Sequence, residues 1–554
     1  MSSWMKLDED LGPERGDEDF LTDDEENQAQ RNNYEHSEAE TESEIGRPAS
    51  RTHSREGIAI SVPNTNAWPQ SYWQSIDMYS SVMTPPSLPS LTFIRSRGAS
   101  FSSLSSFVKC QQSPDVNSSQ LMSSRLLAEE TSNLDKEGPA VASSPPALSA
   151  RFSVTELPPP KEHSCSFSQA VLNGTNVLCG IGLLTTPYAI KEGGWLSLII
   201  LAFLGVVCCY TGILLMRCLE SYPGLRTYPD IGQAAFGSNG RLILSIILYL
   251  ELYGACVEFL TLMGSNLAAL FPNTHIAFAG IHLGSQEIFA ITATLVVLPT
   301  VWLQNLSLLS YLSVGGVGAS ILVALLLLWV GVVNQVGFHH SGPALNLSGV
   351  PVTMGIYGFG FAGHSVFPNI YTSMKKPSQF PAVLITSVSF CFFMYTGVAT
   401  CGFLMFGDSI SSQFTLNMPE EFVASKIAVW TTIVNPMTKY ALTMTPVALS
   451  VEELFPESWM GSHLASILTR TVLVLSTLFV ALSFPFFGAV MALIGSLLAM
   501  LVAIICPCVC YLILLKGRLT KLQISTCILI IMVGVMCSVV GTYSSLAKIA
   551  EAMN

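Results

Sequence analysis

The chain has 554 residues, of which 50% are hydrophobic and only 12% charged, and its formal net charge is −12. Soluble domains carry about a quarter charged residues. Residues 1–165 hold 25 acidic and 13 basic residues, whereas the remaining 389 hold 13 of each. This distribution excludes a soluble multidomain enzyme and a basic nucleic-acid-binding protein, and it is typical of a polytopic membrane protein with an acidic tail.

Residues 1–165 are predicted to form a disordered, acidic, Ser- and Pro-rich cytosolic tail. They contain too little apolar surface to offset the entropy lost on ordering. The run Phe101-Ser-Ser-Leu-Ser-Ser-Phe107 follows Arg95 and Arg97, so kinases are candidate partners of the tail. A merely solvated linker is the alternative.

Residues 166–554 are predicted to form an all-α transmembrane domain. Eleven apolar segments, each near the roughly 20 residues that span hydrocarbon, lie at 168–190, 195–216, 242–270, 286–303, 309–336, 352–373, 381–406, 423–447, 470–488, 490–514 and 522–545. The cysteines, including the run Cys506-Pro-Cys508-Val-Cys510, are expected to pack as small apolar side chains, because no histidine or acidic residue accompanies them as in a zinc site. No metal or cofactor is therefore expected.

The distribution of Lys and Arg predicts the orientation, because cytosolic loops are enriched in both. With the tail in the cytosol, nine basic residues fall in cytosolic loops, and only Lys191, Lys426 and Lys548 fall on the other side. The sequon Asn346-Leu-Ser348 then lies in a non-cytosolic loop, so Asn346 is a candidate glycosylation site.

Two apolar segments are interrupted by glycine and proline. The first reads Asn173-Gly-Thr-Asn-Val-Leu-Cys-Gly-Ile-Gly-Leu-Leu-Thr-Thr-Pro-Tyr188, and the sixth reads Gly355-Ile-Tyr-Gly-Phe-Gly-Phe-Ala-Gly-His-Ser-Val-Phe-Pro-Asn369. Broken helices persist in a membrane only inside protein or around a cavity, and paired breaks indicate a transporter substrate site. The candidate substrate-binding residues are Thr175, Asn176, Cys179, Gly180, Gly182, Gly358, Gly360 and Gly363. Close helix packing by glycine is the alternative, and it is favoured for Gly315-Gly-Val-Gly318 in the fifth segment.

Three stretches resemble the amino acid/auxin permease family. They are the run Asn173–Tyr188 with the following Gly193-Gly194-Trp195, the segment Tyr228-Pro-Asp-Ile-Gly-Gln-Ala-Ala-Phe-Gly237, and Lys439-Tyr-Ala-Leu442. The tail and the eleven segments resemble the vacuolar amino acid transporter branch of plants and fungi. The resemblance implies a leucine-transporter-type five-plus-five inverted repeat, with substrate held between broken helices 1 and 6. It also implies transport of amino acids coupled to protons.

Polar side chains inside the membrane segments are expected to be functional, and the candidates for proton coupling are Glu251, His364 and Lys439. Glu251, near the middle of its segment, is the first candidate to carry a proton, with a structural acid as the alternative; the structural role is favoured for Glu258. His364 lies in the second break, and the unperturbed pKa of an imidazole, about 6.5, lies between cytosolic and vacuolar pH; a hydrogen-bonded core histidine is the alternative. Lys439 either snorkels toward the cytosolic end of its helix or takes the place where related carriers hold sodium. Asn435 could bind substrate or brace its neighbours.

These observations predict a secondary active transporter that moves amino acids across the vacuolar membrane by proton exchange, with the plasma membrane as a less favoured location. Its partners would be the amino acid substrate, protons and the lipid bilayer, without nucleic acid. An amino acid sensor that uses the tail as its signalling arm is the alternative. An intramembrane enzyme is disfavoured, because residues 166–554 hold only two aspartates, Asp230 and Asp408, and no HExxH motif.

Overall fold

The structure, a computed structural model, describes residues 68–69, 165–278, 281–302, 307–334, 336–339, 341–456 and 462–554. Almost all of the predicted tail, including the run Phe101–Phe107, lies outside the described residues. Three residues of that region, Trp68, Pro69 and Cys165, are described.

Helices dominate the described residues. In chain order they are α1 (Phe167–Leu178), α2 (Gly182–Gly193), α3 (Ser197–Glu220), α4 (Tyr228–Leu270), α5 (Ser285–Trp302), α6 (Ser307–Val332), α7 (Val350–Gly360), α8 (Phe367–Ser373), α9 (Phe380–Phe406), α10 (Val423–Glu452), α11 (His463–Ser483), α12 (Phe487–Ile494), α13 (Cys506–Leu514) and α14 (Lys521–Met553). Two π-helical segments, Gly495–Ala499 and Leu501–Ile505, join α12 to α13. A small antiparallel hairpin of β1 (Ile276–Phe278) and β2 (Ile281–Leu283) follows α4.

Each of the eleven predicted segments is helical over most of its length. In the part of the chain that the structure describes, eight helices are long and apolar enough to cross a membrane, and α1 with α2 makes a ninth span bent by 50°. The other two predicted spans are α7 with α8, which is split by six residues, and α10, which contains Lys439 and two prolines. The prediction of an all-α polytopic membrane protein is confirmed, whereas the number eleven stays a prediction.

The first break separates α1 from α2. A capping box starts α1, because Gln169 N–H donates to the Ser166 hydroxyl (3.4 Å) and Ser166 N–H donates to the Gln169 side chain (2.9 Å). In α2, Pro187 has no N–H for the carbonyl of Leu183, and the hydroxyl of Thr186 donates to that carbonyl at 2.9 Å. The side chain thus satisfies the group that the proline leaves unpaired.

The second break separates α7 from α8. Helix α7 ends at Gly360, residues 361–366 are not helical, and α8 has Pro368 in its first turn. Proline is well tolerated there, because the first N–H groups of a helix have no intrahelical partner. The two predicted breaks are therefore present where the glycine clusters place them.

Helix α4 begins earlier than predicted, at Tyr228 rather than near residue 242. Thr227 and Asp230 form a capping box at its start, and the chain kinks at Gly237, whose φ of 73° favours glycine. After the kink, Arg241 folds back onto Asp230 with an N–O distance of 2.7 Å. The ion pair with Asp230 thus stabilises the buried Arg241 at the start of the apolar stretch.

The predicted boundaries around the ninth segment are wrong by about two turns at its start. Helix α11 begins at His463, so Arg470 lies inside it rather than in a loop. Arg470 is buried, pairs with Glu452 at 2.9 Å, and donates to the carbonyl oxygen of Val301 at 2.9 Å. Because these partners balance its charge, the arginine does not end the helix. Arg217, Arg241 and Lys521 also lie inside helices, so five of the nine basic residues assigned to cytosolic loops lie in loops.

Helix packing brings the break between α1 and α2 close to the break between α7 and α8. Helix α2 packs against α7 and α9, while α4 and α6 both pack along α10. These contacts bring the glycine-rich breaks next to the polar face of α10, where the candidate site lies.

Candidate functional site

The two breaks touch at their glycines. A Cβ atom on Gly182, the first residue of α2, would lie 2.9 Å from the Cα atom of Gly360, the last residue of α7. Only a residue without a side chain allows so close an approach. Tyr395 of α9 adds a second link, because its hydroxyl lies 2.5 Å from the carbonyl oxygen of Leu178 and 2.8 Å from that of Gly360. One buried side chain thus joins the C-terminal ends of α1 and α7.

Side chains from other helices satisfy the carbonyl groups at the end of α1. A helix leaves its last four C=O groups without intrahelical partners, and an unpaired group away from water is costly. The Nζ atom of Lys439 in α10 lies 3.5 Å from the carbonyl oxygen of Asn176. The hydroxyl of Ser320 in α6 donates to the carbonyl of Cys179 at 2.9 Å. Lys439 and Ser320 therefore stabilise the break, because they contact carbonyl groups that the end of α1 leaves without helical partners.

A cavity of about 120 Å³ lies beside the first break. Its walls come from α1 and the break after it, from α4, from the break after α7, and from α10. Its polar lining consists of Asn176, Glu251, Ser365, Asn435, Lys439 and Thr443, together with Gly180 and Gly182. Five of the predicted site residues, Asn176, Gly180, Gly182, Glu251 and Lys439, are thus brought together at one place.

One carboxyl group and one ammonium group line this cavity. Glu251 exposes 9% of its surface, and its Oε2 atom has no hydrogen-bond partner among the described residues. Lys439 exposes 7%, and its ammonium group points to the C-terminal end of α1, which is the negative end of that helix dipole. Its own helix continues for thirteen residues to Glu452. The geometry therefore favours a fixed ammonium beside the break over a snorkelling lysine.

Three predicted glycines make helix contacts instead of lining the cavity. A Cβ atom on Gly358 would lie 2.7 Å from Cε of Met500, and one on Gly363 would lie 2.9 Å from the ring of Phe367. A Cβ atom on Gly360 would lie 3.3 Å from the ring of Tyr395. At each of these glycines a neighbouring side chain approaches the backbone, as the packing alternative expects. A role of these glycines in substrate binding stays a prediction.

Thr175, Cys179 and His364 are buried, and they too lie outside the lining of this cavity. The carbonyl of Thr175 accepts from Cys179 N–H at 2.7 Å, which closes the last turn of α1. His364 faces α3, where its Nε2 atom lies 3.0 Å from the hydroxyl oxygen of Thr211. The structure thus pairs one ring nitrogen of His364 with α3, and its neighbour Ser365 is the residue that reaches the cavity. A role of His364 in proton coupling stays a prediction.

The site also contains Ser365, Thr443 and Tyr395, which none of the sequence motifs predicts. Thr443 is four residues after Lys439, so both lie on one face of α10, and this spacing could have identified it. Tyr395 carried a weaker signal: a tyrosine in an apolar span needs a partner for its hydroxyl. Ser365 carried none, because it lies in a non-helical stretch where no periodicity assigns a direction.

The remaining predictions concern glycosylation and metals. Asn346 lies in the loop before α7, outside the cavity lining, with its N–H donating to the carbonyl of Gly193 at 3.1 Å and its side-chain oxygen accepting from Ser348 at 2.7 Å. The intervening Leu347 is 76% exposed, so the sequon lies at the surface. Within the described residues, no three His, Cys, Asp or Glu side chains come together as they would around a metal ion.

The family model and the relatives that match this chain are all described as transporters. Residues 163–547 match the family model described as transmembrane amino acid transporter protein. Amino acid transporter AVT1D of Arabidopsis thaliana is 56% identical over 513 residues, which are 92% of this chain and 92% of that protein. Amino acid transporter AVT1E of the same plant is 53% identical over 94% of this chain and 96% of its own length. The vesicular GABA transporter of Caenorhabditis elegans is 27% identical over 70% of this chain and 80% of its own length.

Solved structures show a more distant likeness. A Na⁺-coupled sialic acid symporter covers 69% of this chain and 89% of its own, at 12% identity and a TM-score of 0.38. A manganese transporter of Eremococcus coleocola covers 73% and 90%, at 12% identity and a TM-score of 0.39.

The family match covers most of the described helices, and the Arabidopsis relatives match nearly the whole chain. The resemblance seen in the stretches Asn173–Tyr188, Tyr228–Gly237 and Lys439–Leu442 is confirmed. Since the relatives are named as transporters and not as enzymes, the expectation that the chain is not an enzyme is confirmed as well. The chain belongs to the transmembrane amino acid transporter family.

Proposed function

We propose that this amino acid transporter works as a proton exchanger at the vacuolar membrane, with residues 166–554 as the transport domain. Amino acid would move from the cytosol into the acidic lumen while protons move out, and the N-terminal tail would face the cytosol. The vacuolar location is supported by the resemblance described above. The tail orientation is supported by the excess of Lys and Arg in the loops on that side.

The substrate would bind in the cavity beside the first break. Helix α2 begins at Gly182, so the positive end of its dipole and its first N–H groups lie at the cavity wall, where a carboxylate is favoured. Asn176, Asn435 and Ser365 add neutral polar groups around the same space. A cavity with a dipole end and several neutral donors and acceptors suits an amino acid, which presents both a carboxylate and an ammonium group.

Glu251 would carry the proton. The observation behind this assignment is its Oε2 atom, which is buried in the lining of the cavity without a hydrogen-bond partner among the described residues. An ionised carboxylate left unpaired in the membrane is costly, so binding and release of a proton would be linked to the occupancy of the cavity. Each pH unit across the membrane is worth about 1.4 kcal/mol per proton, or roughly tenfold accumulation for one proton exchanged.

The test is uptake into proteoliposomes with an acidic interior, using a panel of amino acids. Glu251→Gln keeps the shape of the side chain but cannot ionise, so this variant should lose pH-driven accumulation and retain substrate counterflow. Glu258→Gln is the matched control, because Glu258 is a buried glutamate of the same helix that is not in the cavity lining. It should accumulate substrate as the unmodified protein does.

Three outcomes would contradict the proposal. If Glu251→Gln still accumulates substrate when only a pH difference is imposed, Glu251 is structural. If the unmodified protein ignores the pH difference, proton exchange is wrong. Substrate binding without net flux in the same liposomes would favour the sensor instead.

A further inference from the structure

Two residues of the N-terminal region, Trp68 and Pro69, contact the transport helices. The indole N–H of Trp68 donates to the carbonyl oxygen of Ser450 in α10 at 2.9 Å, and its ring centroid lies 5.7 Å from that of Tyr249 in α4. The carbonyl oxygen of Pro69 accepts from Arg241 of α4 at 2.9 Å. Trp68 is half-buried and Pro69 is buried. The pair therefore bridges two helices that are more than 170 residues away in sequence.

The indole satisfies a carbonyl group that α10 leaves open. Helix α10 ends at Glu452, so the carbonyl of Ser450 is among its last four. In a continued helix the N–H of Leu454 would reach that carbonyl, but it donates to Val451 at 3.1 Å instead. The N–H of Trp68 thus takes the place of a helix cap, which gives the contact directional chemistry beyond apolar burial.

Arg241 is held in position to receive Pro69. Its guanidinium group pairs with Asp230 at 2.7 Å and donates to the side chain of Gln233 at 3.1 Å, and only 11% of its side chain is exposed. A guanidinium fixed by two partners presents its remaining N–H in a set direction. The contact with Pro69 therefore uses a guanidinium group that Asp230 and Gln233, on the other side of the kink of α4, already hold in place.

The pair lies between the cavity and the helix ends. Along α10, Ser450 is seven residues beyond the cavity residue Thr443, or about 10 Å at 1.5 Å per residue. Along α4, Tyr249 is two residues before Glu251, and Arg241 is ten residues before it. Helices α4 and α10 pack against each other, and both line the cavity. A ligand that bridges Arg241 and Ser450 therefore links these two walls of the cavity between the cavity and the helix ends.

We propose that Trp68-Pro69 is an intramolecular ligand of a site between α4 and α10, and that its docking holds the cavity closed on the side of the tail. Opening the cavity on that side requires α4 and α10 to separate, which breaks the bridge. Release of the pair then becomes a step of the transport cycle, and anything that binds the tail can control the rate. The inference rests on the proposed role of the cavity as the substrate path, but the docking itself does not.

Docking is tested by photocrosslinking of the full-length protein in membranes. A benzoylphenylalanine at position 249, which lies against the ring of Trp68, should link to a peptide that contains Trp68, whereas the same residue at position 253, which faces α11, should not. Crosslinks of position 249 that miss Trp68, or equal crosslinks from position 253, would overturn the docking site.

The effect on transport is tested by initial uptake rates. Loss of one neutral hydrogen bond and one aromatic contact shifts an equilibrium by about tenfold, so Trp68→Ala should raise the rate by up to about tenfold. Trp68→Phe keeps a ring without the N–H, and it should raise the rate about fivefold at most. Trp4→Ala is the matched control and should leave the rate unchanged. An equal rise with Trp4→Ala would overturn the proposal.

A double variant separates the bridge from other effects. Tyr249→Leu removes the ring under Trp68, and if both act through the bridge, the double variant should be no faster than the faster single variant. A folded Trp68→Ala protein with an unchanged or lower rate would overturn the closing role, even if the crosslinks confirm the docking. If uptake is not driven by pH in any variant but Trp68→Ala still speeds counterflow, proton exchange is wrong and the bridge stands.

Discussion

Two glycines of the first break have opposite surroundings. A Cβ atom on Gly182 would collide with the backbone of Gly360, whereas one on Gly180 would meet no atom within 4 Å. Both residues line the cavity. One glycine is therefore required for the contact of the two breaks, and the other leaves open space for the substrate.

This difference can be measured with single methyl groups. Gly182→Ala should destabilise the protein by about 1–3 kcal/mol, as overpacking does, and should reduce transport with it. Gly180→Ala should change stability by less than about 0.5 kcal/mol. Gly180→Leu should fill the cavity and stop transport without lowering the melting temperature. Thermal unfolding in detergent and uptake assays check both, and normal uptake by Gly180→Leu would remove this break from the substrate path.

Among the elements, α9 is the one that holds the two broken helices together. Its Tyr395 hydroxyl lies within hydrogen-bonding distance of the last carbonyl of α1 and the last carbonyl of α7. Because a hydroxyl has one proton, the two carbonyls share it. The residue thus couples the ends of two half-helices whose relative position shapes the cavity.

Replacing Tyr395 by Phe should release both carbonyls. Leaving a buried acceptor unpaired costs about 1–3 kcal/mol, so Tyr395→Phe should lower the melting temperature and the uptake rate together. Tyr253→Phe is the matched control, because the Tyr253 hydroxyl pairs with Ser476 of α11 at 2.9 Å and Tyr253 is not in the cavity lining. This control should keep the uptake rate of the unmodified protein, and equal losses in the two variants would show that the effect is not specific to the breaks.

At the scale of the whole molecule, the tail and the transport domain are expected to separate in function. A truncation of residues 1–59 retains Trp68-Pro69, whereas a truncation of residues 1–150 removes the pair together with most of the predicted tail. Both proteins should transport, because the helices that line the cavity begin after residue 165.

The two truncations should differ in rate. The shorter truncation should match the full-length protein, and the longer one should show the faster uptake expected of Trp68→Ala. Initial rates at equal amounts of protein in the membrane provide the measurement. A longer truncation that folds and reaches the membrane but moves no substrate would mean that the tail is part of the transport machinery.

The apolar helices and the positions of both breaks can be predicted from the amino-acid sequence, because each depends on residues close together in the chain. About 20 apolar residues form a span, and glycine with proline interrupts it locally. The same local chemistry brought out Glu251 and Lys439 as charges inside apolar segments. The extra turns at the start of α11 were missed, because Arg470 is tolerated there only through Glu452, which lies on another helix.

Which side chains face the cavity depends on the packing of the helices. His364 and Ser365 are neighbours in a non-helical stretch, where no periodicity tells one side from the other, and packing turned the histidine to Thr211 and the serine to the cavity. The direction of Lys439 toward α1 and the docking of Trp68 on Ser450 join residues 263 and 382 positions apart. Such contacts depend on how whole helices pack, so local patterns in the amino-acid sequence cannot predict them.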